Sequence, residues 1–341
     1  MPGLHRTGLF LLLGIFAALI ACSDNSHGAC DSDHGDFYVM ALYSSAGLGD
    51  RGYLDNIHLA FASAKRQYGF TLENVVPENT AEAQRALARF FDGGEYSGFS
   101  QKLLVLTVDD YDSLFAGHPG WKQDEARGIL HFVADSNSPD SYVRNISLYG
   151  VSYLTGAATA GLDKRAAMVL ATEQSSAMRE AAEGFKEGYE RDGKKLDKSA
   201  IYVLDRYEPD GYASSFAYFI SVLFDEYDFV YPVAGGSNLR LYRYAREYED
   251  SIPFEMCGID VDQQDLSPNI PFSVVKHTEK MIDEFMERWV HGKDIPQRIT
   301  GTLETGHAEI VLAQNSGKWE DALEKFKERA MEAEKKYLEG K

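Results

Sequence analysis

The chain has 341 residues, of which 34 are basic and 53 acidic, giving a formal net charge of −19. A surface this acidic repels nucleic acid and anionic lipid headgroups and offers few cations for holding phosphate groups. The length suffices for two ordinary domains, and three cysteines are too few for a disulfide scaffold.

The chain opens with a charged start, His5 and Arg6, then an apolar run from Leu9 to Ile20, and reaches Leu19-Ile20-Ala21-Cys22. That is the layout of a secretory signal, with a cysteine where a small residue would stand. About 12 apolar residues are too few to cross a ~30 Å hydrocarbon core as a helix. Leu-Ile-Ala-Cys resembles the lipobox of bacterial lipoproteins, whose cysteine takes a diacylglyceryl group and becomes the new N-terminus. The resemblance implies a signal peptide over 1–21, lipidation at Cys22, and a globule outside the cytoplasm that is anchored to a membrane. Residues 23–36 (SDNSHGACDSDHGD) are small, polar and acidic, so 22–36 reads as the lipidated cysteine followed by a flexible tether.

From Phe37 strand-like and helix-like segments alternate. The pattern predicts a strand over 37–43, a Ser/Gly turn (SSAGLGD), a helix over 53–68, a strand at 71–76, a helix over 81–91 and a strand at 102–108. Strands at 129–134 and 145–148 follow, then a helix over 152–162, a strand at 167–171, a helix over 175–191 and a strand at 200–204. A helix over 212–226, a strand at 229–233, a Gly-Gly turn, a helix over 238–248 and a strand at 253–260 complete the repeat. The terminal segment 320–341 is a charged helix whose Trp319, Leu323, Phe326, Ala330 and Met331 form one apolar stripe. So many strands exceed one sheet of ordinary width and predict an α/β protein of two Rossmann-like lobes with parallel sheets.

In such sheets ligands sit at the carboxyl ends of strands, where Asp50, Asp109, Asp110, Asp135, Gly235, Gly236 and Asp260 fall. Each is also an ordinary turn or cap residue; their recurrence is what marks them. The sequence has no Gly-x-Ser-x-Gly elbow, His-Glu-x-x-His pair or phosphate loop, so no enzyme activity, catalytic residue or cofactor is expected. Asp109-Asp110-Tyr111-Asp112 and Asp260-Val261-Asp262 lack the spacing of a calcium loop, and no metal site is expected. Twenty tyrosines, Tyr53, Tyr207 and Tyr212 among them in strand-to-helix loops, suit a flat ring held between aromatics. Carboxylates beside them suit the hydroxyls of a sugar, since an ionised carboxylate only accepts hydrogen bonds.

GLGDRGYLDNIHLAF (47–61) resembles the Gly-x-x-Asp-Lys-Ser-Phe-Asn-Asp opening of the basic membrane protein family. SYLTGAATAGL (152–162), VYPVAGGSNLRLYRYARE (230–247), CGIDVDQ (257–263) and SVVKHTEKMID (273–283) resemble further segments of that family in the same order. Its members are nucleoside-binding lipoproteins of ABC importers with a type I periplasmic-binding-protein fold. The resemblance implies two lobes joined by a three-crossover hinge: 37–149 with 275–303, and 150–274 with 304–341.

It also implies the site. Tyr53 takes the place of the residue that stacks on the base, and Tyr207 matches a second stacking aromatic. Asp260 accepts the ribose hydroxyls, Lys276 donates to the ribose from near the hinge, and Gly235 and Gly236 let the backbone approach. Asp50 and Asp135 lie on the base side. Leu54 stands where the family has an Asn able to read the base edge, which departs from the pattern. The expected function is capture of a nucleoside-like solute and its handover to a permease and ATPase. The alternatives are a sensor feeding a membrane signalling protein, a nucleoside hydrolase, or a binder of another ring-bearing solute or sugar.

Overall fold

The computed structural model describes residues 37–134, 138–173, 175–204, 216–247, 254–314 and 316–340. Strand β1 (Phe37–Leu42) is buried on both faces, so it reads as an unbroken apolar run, FYVMAL. The chain continues through α1 (Tyr53–Tyr68), β2 (Thr71–Val75), α2 (Thr80–Asp92), β3 (Gln101–Leu106), α3 (Asp112–Phe115), β4 (Arg127–His131) and β5 (Tyr142–Ile146). Local chemistry fixes the helix ends. Gly69, with φ +72°, closes α1 by donating to Lys65 O, and the Asn79 side chain accepts from Glu82 N at the start of α2.

The second half runs α4 (Tyr149–Gly161), β6 (Ala166–Leu170), α5 (Ser176–Glu190), β7 (Ile201–Val203), α6 (Phe216–Glu226), β8 (Phe229–Val233), α7 (Asn238–Glu247), β9 (Glu255–Met256) and β10 (Gly258–Asp260). It ends with β11 (Phe272–Lys276), α8 (Thr278–Val290), β12 (Arg298–Gly301), β13 (Ala308–Leu312) and α9 (Gly317–Glu339).

A six-stranded parallel sheet, ordered β12-β5-β4-β3-β1-β2, organises the first lobe. Alternate side chains of β1 feed two cores: Val39 and Ala41 pack with α1 and α8, while Tyr38, Met40 and Leu42 pack with α2. The second lobe holds a four-stranded parallel sheet, β7-β6-β8-β9, and a three-stranded sheet, β10-β11-β13, around one large core. The chain passes between the lobes after β5, after β11 and after β12. The α/β architecture expected from the sequence is therefore present, hinge included. All three sheets belong to one compact unit.

Two details depart from the expected pattern. The segment expected as one strand over 253–260 is two, split at Cys257: β9 pairs with β8, while β10 pairs with β11 in a different sheet. One apolar run thereby serves two sheets, which periodicity alone does not reveal. The second lobe is also not wholly parallel, since β13 runs antiparallel to β11. The expected helix start at 212 lies outside the described residues.

Helix α4 is buried from Tyr149 to Thr159 and meets α5 at backbone contact. A Cβ on Gly156 would stand 2.1 Å from Phe185 O, and one on Gly188 would stand 2.0 Å from Tyr153 O. Helix α9 lays Trp319, Leu323, Phe326 and Ala330 against the lobe and adds a buried carboxylate, Glu334. Glu334 accepts from Leu303 N (2.9 Å) and Gly150 N (3.2 Å), so the terminal helix grips two of the three crossovers.

Candidate ligand-binding cleft

In the six-stranded sheet the strand order reverses between β1 and β3, which makes a crevice at their carboxyl ends. The loop after β1 carries Asp50–Gly52 and the loop after β3 carries Asp109 and Asp110. Asp55 shapes the first of these loops by accepting from Gly49 N (2.7 Å) and Arg51 N (2.8 Å), and Asp50 accepts from Gly52 N (2.8 Å). Arg51 is thereby held at φ +48°, a left-handed conformation uncommon for a residue with a side chain. Tyr53 opens α1 and donates its hydroxyl to Thr107 O at the end of β3, 3.2 Å.

The second lobe meets this loop with the ends of β10 and β11. Asp260 has φ +72° and is 8 % exposed. A non-glycine in this region costs backbone energy, and such outliers collect at binding sites. Its Oδ1 lies 2.5 Å from Lys276 Nζ, and the same ammonium sits 4.2 Å from the centroid of the Tyr53 ring. One cation thus joins the carboxylate of one lobe to the aromatic of the other. Four residues expected at the site, Asp50, Tyr53, Asp260 and Lys276, are brought together.

Electrostatics follow the geometry. Burial pushes Asp50 up to about 6, opposed by the Gly52 N–H and reinforced by the fields of Asp260 and Asp55. Asp109 is raised, mainly by burial, with Asp110 and Asp112 adding to it. Burial together with Asp260 and Asp109 holds the Tyr53 hydroxyl far above the usual phenol range, so it stays a donor. Carboxylates from both lobes therefore act on the same few groups, and the Lys276 ammonium among them is already paired to Asp260.

Gly235 and Gly236 lie at the carboxyl end of β8, in a short 3-10 turn that leads into α7, and Gly235 takes φ +54°. Asp135, Tyr207 and Cys22 lie outside the described residues, so their expected roles are not placed. Leu54 reads nothing in the cleft. It is 6 % exposed and packs with Val39, Ile57 and Phe61 in the core, because one step along α1 from Tyr53 turns the side chain inward.

No family model and no curated protein matches the sequence. Solved structures do match. An ABC transporter solute-binding protein from Aeropyrum pernix K1 aligns with TM-score 0.66 and 16 % identity, covering 89 % of this chain and 92 % of that one. The sugar-binding protein of a sugar ABC transporter from Bacillus halodurans aligns with TM-score 0.60 and 14 % identity over 84 % of this chain and all of its own. A putative transcription regulator from Staphylococcus saprophyticus aligns with TM-score 0.61 and 12 % identity, covering 83 % and 98 %. The fold is that of type I periplasmic-binding proteins. At these identities the likeness is one of fold, and the basic membrane protein resemblance rests on the sequence motifs alone.

Within the periplasmic-binding fold, three residues outside the expected site set also matter. Asp109 lies close enough to act on Tyr53. Asn56, one helical turn beyond Tyr53, donates to Lys276 O (3.2 Å) and Thr278 Oγ1 (2.6 Å), tying α1 to the crossover after β11. Gln263 donates across the lobes to Arg51 O, 2.9 Å. The Gln of CGIDVDQ was visible as a motif residue, but nothing in spacing or composition announces a bond to a residue more than 200 positions earlier. Among the described residues no group of three or more His, Cys, Asp or Glu side chains is arranged to hold a metal ion.

Proposed function

We propose that this chain is a lipid-anchored solute-binding protein of an ABC importer that captures a nucleoside-like solute between its lobes. The observation that carries the reading is the Asp260–Lys276–Tyr53 constellation. An aromatic face, an ammonium and a carboxylate from opposite lobes meet in one cleft, as a ring with attached hydroxyls requires. The cleft lies at the topological switch point of a fold that solute-binding proteins of ABC transporters share. No bond is broken: Asp260 and Lys276 hold the sugar hydroxyls, Tyr53 stacks on the base, and Asp50 accepts from a donor on the base edge. Lipid on Cys22 keeps the protein at the membrane outside the cytoplasm, where it meets a permease with its ATPase.

A free sugar is the second reading. Its support is the excess of acceptor carboxylates, Asp50 and Asp109 beside Asp260, in a cleft whose fold neighbours include a sugar-binding protein. Calorimetric titration of the full chain with nucleosides, free bases and simple sugars tests both. Nucleosides binding at micromolar levels, with free bases and sugars silent, is the expected result. Sugars binding alone select the second reading, and silence throughout removes both. Mass analysis of the chain from the membrane fraction, with Cys22→Ala as control, tests the anchor.

A further inference from the structure

Gln263 stands just past β10 and is 4 % exposed. Its Oε1 accepts from Ile259 N (2.9 Å) and Tyr242 Oη (3.0 Å), and its own backbone N–H donates to Ser273 Oγ (3.0 Å). The Ile259 N–H can only donate, so the oxygen of the amide must face it, and the nitrogen is left pointing at the other lobe. There Nε2 meets Arg51 O at 2.9 Å. Arg51 is the residue held at φ +48° between Asp50 and Tyr53's neighbour Gly52, so its carbonyl is aimed by the loop rather than free to turn.

The second link across the same seam, Arg51 Nη2 to Asp265 Oδ2 at 2.8 Å, joins side chains that are 56 % and 64 % exposed. Water and salt screen such a pair, and it contributes little. The Gln263 bond is the more sheltered of the two. It runs from the residue beside Asp260 in the chain of contacts to the residue beside Asp50, so this amide links the Asp260 side of the cleft to the Asp50 loop.

We infer that Gln263 is the positioning residue of lobe closure: its amide draws the Asp50–Gly52 loop onto the Asp260 side and holds the cleft shut. The inference rests on the solute-binding reading for its purpose, but the closure it describes is measurable without a ligand. Gln263→Glu separates this role from packing. It keeps an acceptor for Ile259 N and Tyr242 Oη inside the second lobe, and it turns an acceptor instead of a donor toward Arg51 O.

The test is a spin-label distance measurement on the full chain, with labels at Ser63→Cys in α1 and Glu324→Cys in α9. Cys22 and Cys30 are changed to Ser, and Cys257 is buried and left in place. Wild type and Q263E are compared alone and with adenosine as the probe, alongside hydrogen exchange of α7 and β10. The expected result is a ratio of closed to open chains about tenfold lower in Q263E under matched conditions, with α7 and β10 equally protected in both. Equal closed populations in the two proteins overturn the inference. So does loss of protection in α7 and β10, which would mean the amide serves only the second lobe, and so does a wild type with no closed population in either condition. Adenosine failing to shift wild type counts against the nucleoside reading alone, since the ligand-free comparison stands without it.

Discussion

Lys276 Nζ lies 2.5 Å from Asp260 Oδ1, and the two side chains are only 12 % and 11 % exposed. A pair this sheltered from water depends on both members, because losing one leaves a buried, uncompensated charge. Lys276→Met is therefore expected to destabilise the chain by about 3 kcal/mol. Adding Asp260→Asn should return most of that loss, since no charge is then left unpaired. Denaturant unfolding of both single variants and the double variant checks this, and additive losses would show that the two groups do not depend on each other.

Asp50 supplies the pH dependence. Its carboxyl is pushed up to about 6 from an ordinary value near 3.9, so the folded chain binds this proton more tightly than the unfolded chain does. The charged form is thus penalised in the fold. The penalty is full above about pH 6, shrinks as the pH falls, and is gone below about pH 4. Asp50→Asn should raise stability by about 2 kcal/mol near pH 8 and leave it unchanged near pH 4. Calorimetric Tm values across this range check it; a gain that ignores pH would place its source elsewhere.

Where α4 crosses α5, the glycines are spacers. A Cβ at Gly156 or Gly188 would meet the backbone carbonyl of Phe185 or Tyr153 at 2.1 Å or 2.0 Å, and a backbone atom cannot swing aside. Gly156→Ala and Gly188→Ala should each cost about 3 kcal/mol, at the upper end of overpacking. Gly193, at φ +94° with no atom within 4 Å of its Cβ position, tests the contrast. Ala there adds only backbone strain, of about 1 kcal/mol. Thermal unfolding of the three variants ranks them.

Glu334 makes the C-terminal helix part of the hinge. Glu334→Ala orphans the Leu303 and Gly150 N–H groups and should cost about 2–6 kcal/mol at about 1–3 per buried group. Glu334→Gln keeps one acceptor oxygen and should lose less. Hydrogen exchange at Leu303 and Gly150 locates the effect: both amides should lose protection in the Ala variant, while the β1 core keeps its own.

Much of the fold was readable because burial writes itself into spacing. Helix α1 was expected over 53–68, where it lies, and β8 over 229–233, because apolar faces repeat at helical or strand period. The hinge strands were harder. Segment 298–301 is four residues with little apolar content, and it becomes β12 only because β5 offers a free edge. Glu334 is one of many charges on a helix expected to bury one apolar stripe and solvate the rest, and only the crossovers packed beside it make a buried carboxylate tolerable. In the cleft, Asp260 and Lys276 were legible as motif residues. Leu54 departs from the family's Asn, and its place in the core was not legible, because aligning it to a polar residue says nothing about which way the helix turns it.

The pairing of β12 with β5 also dictates an order of assembly. Ile146 lies opposite Gly301, with on the order of 150 residues between them, so the first lobe's sheet stays one strand short until the second lobe's chain has been made. A chain folding in order from its N-terminal end holds at that stage a five-stranded sheet with β5 as an open edge, and that edge is the surface most in need of a chaperone until β12 arrives.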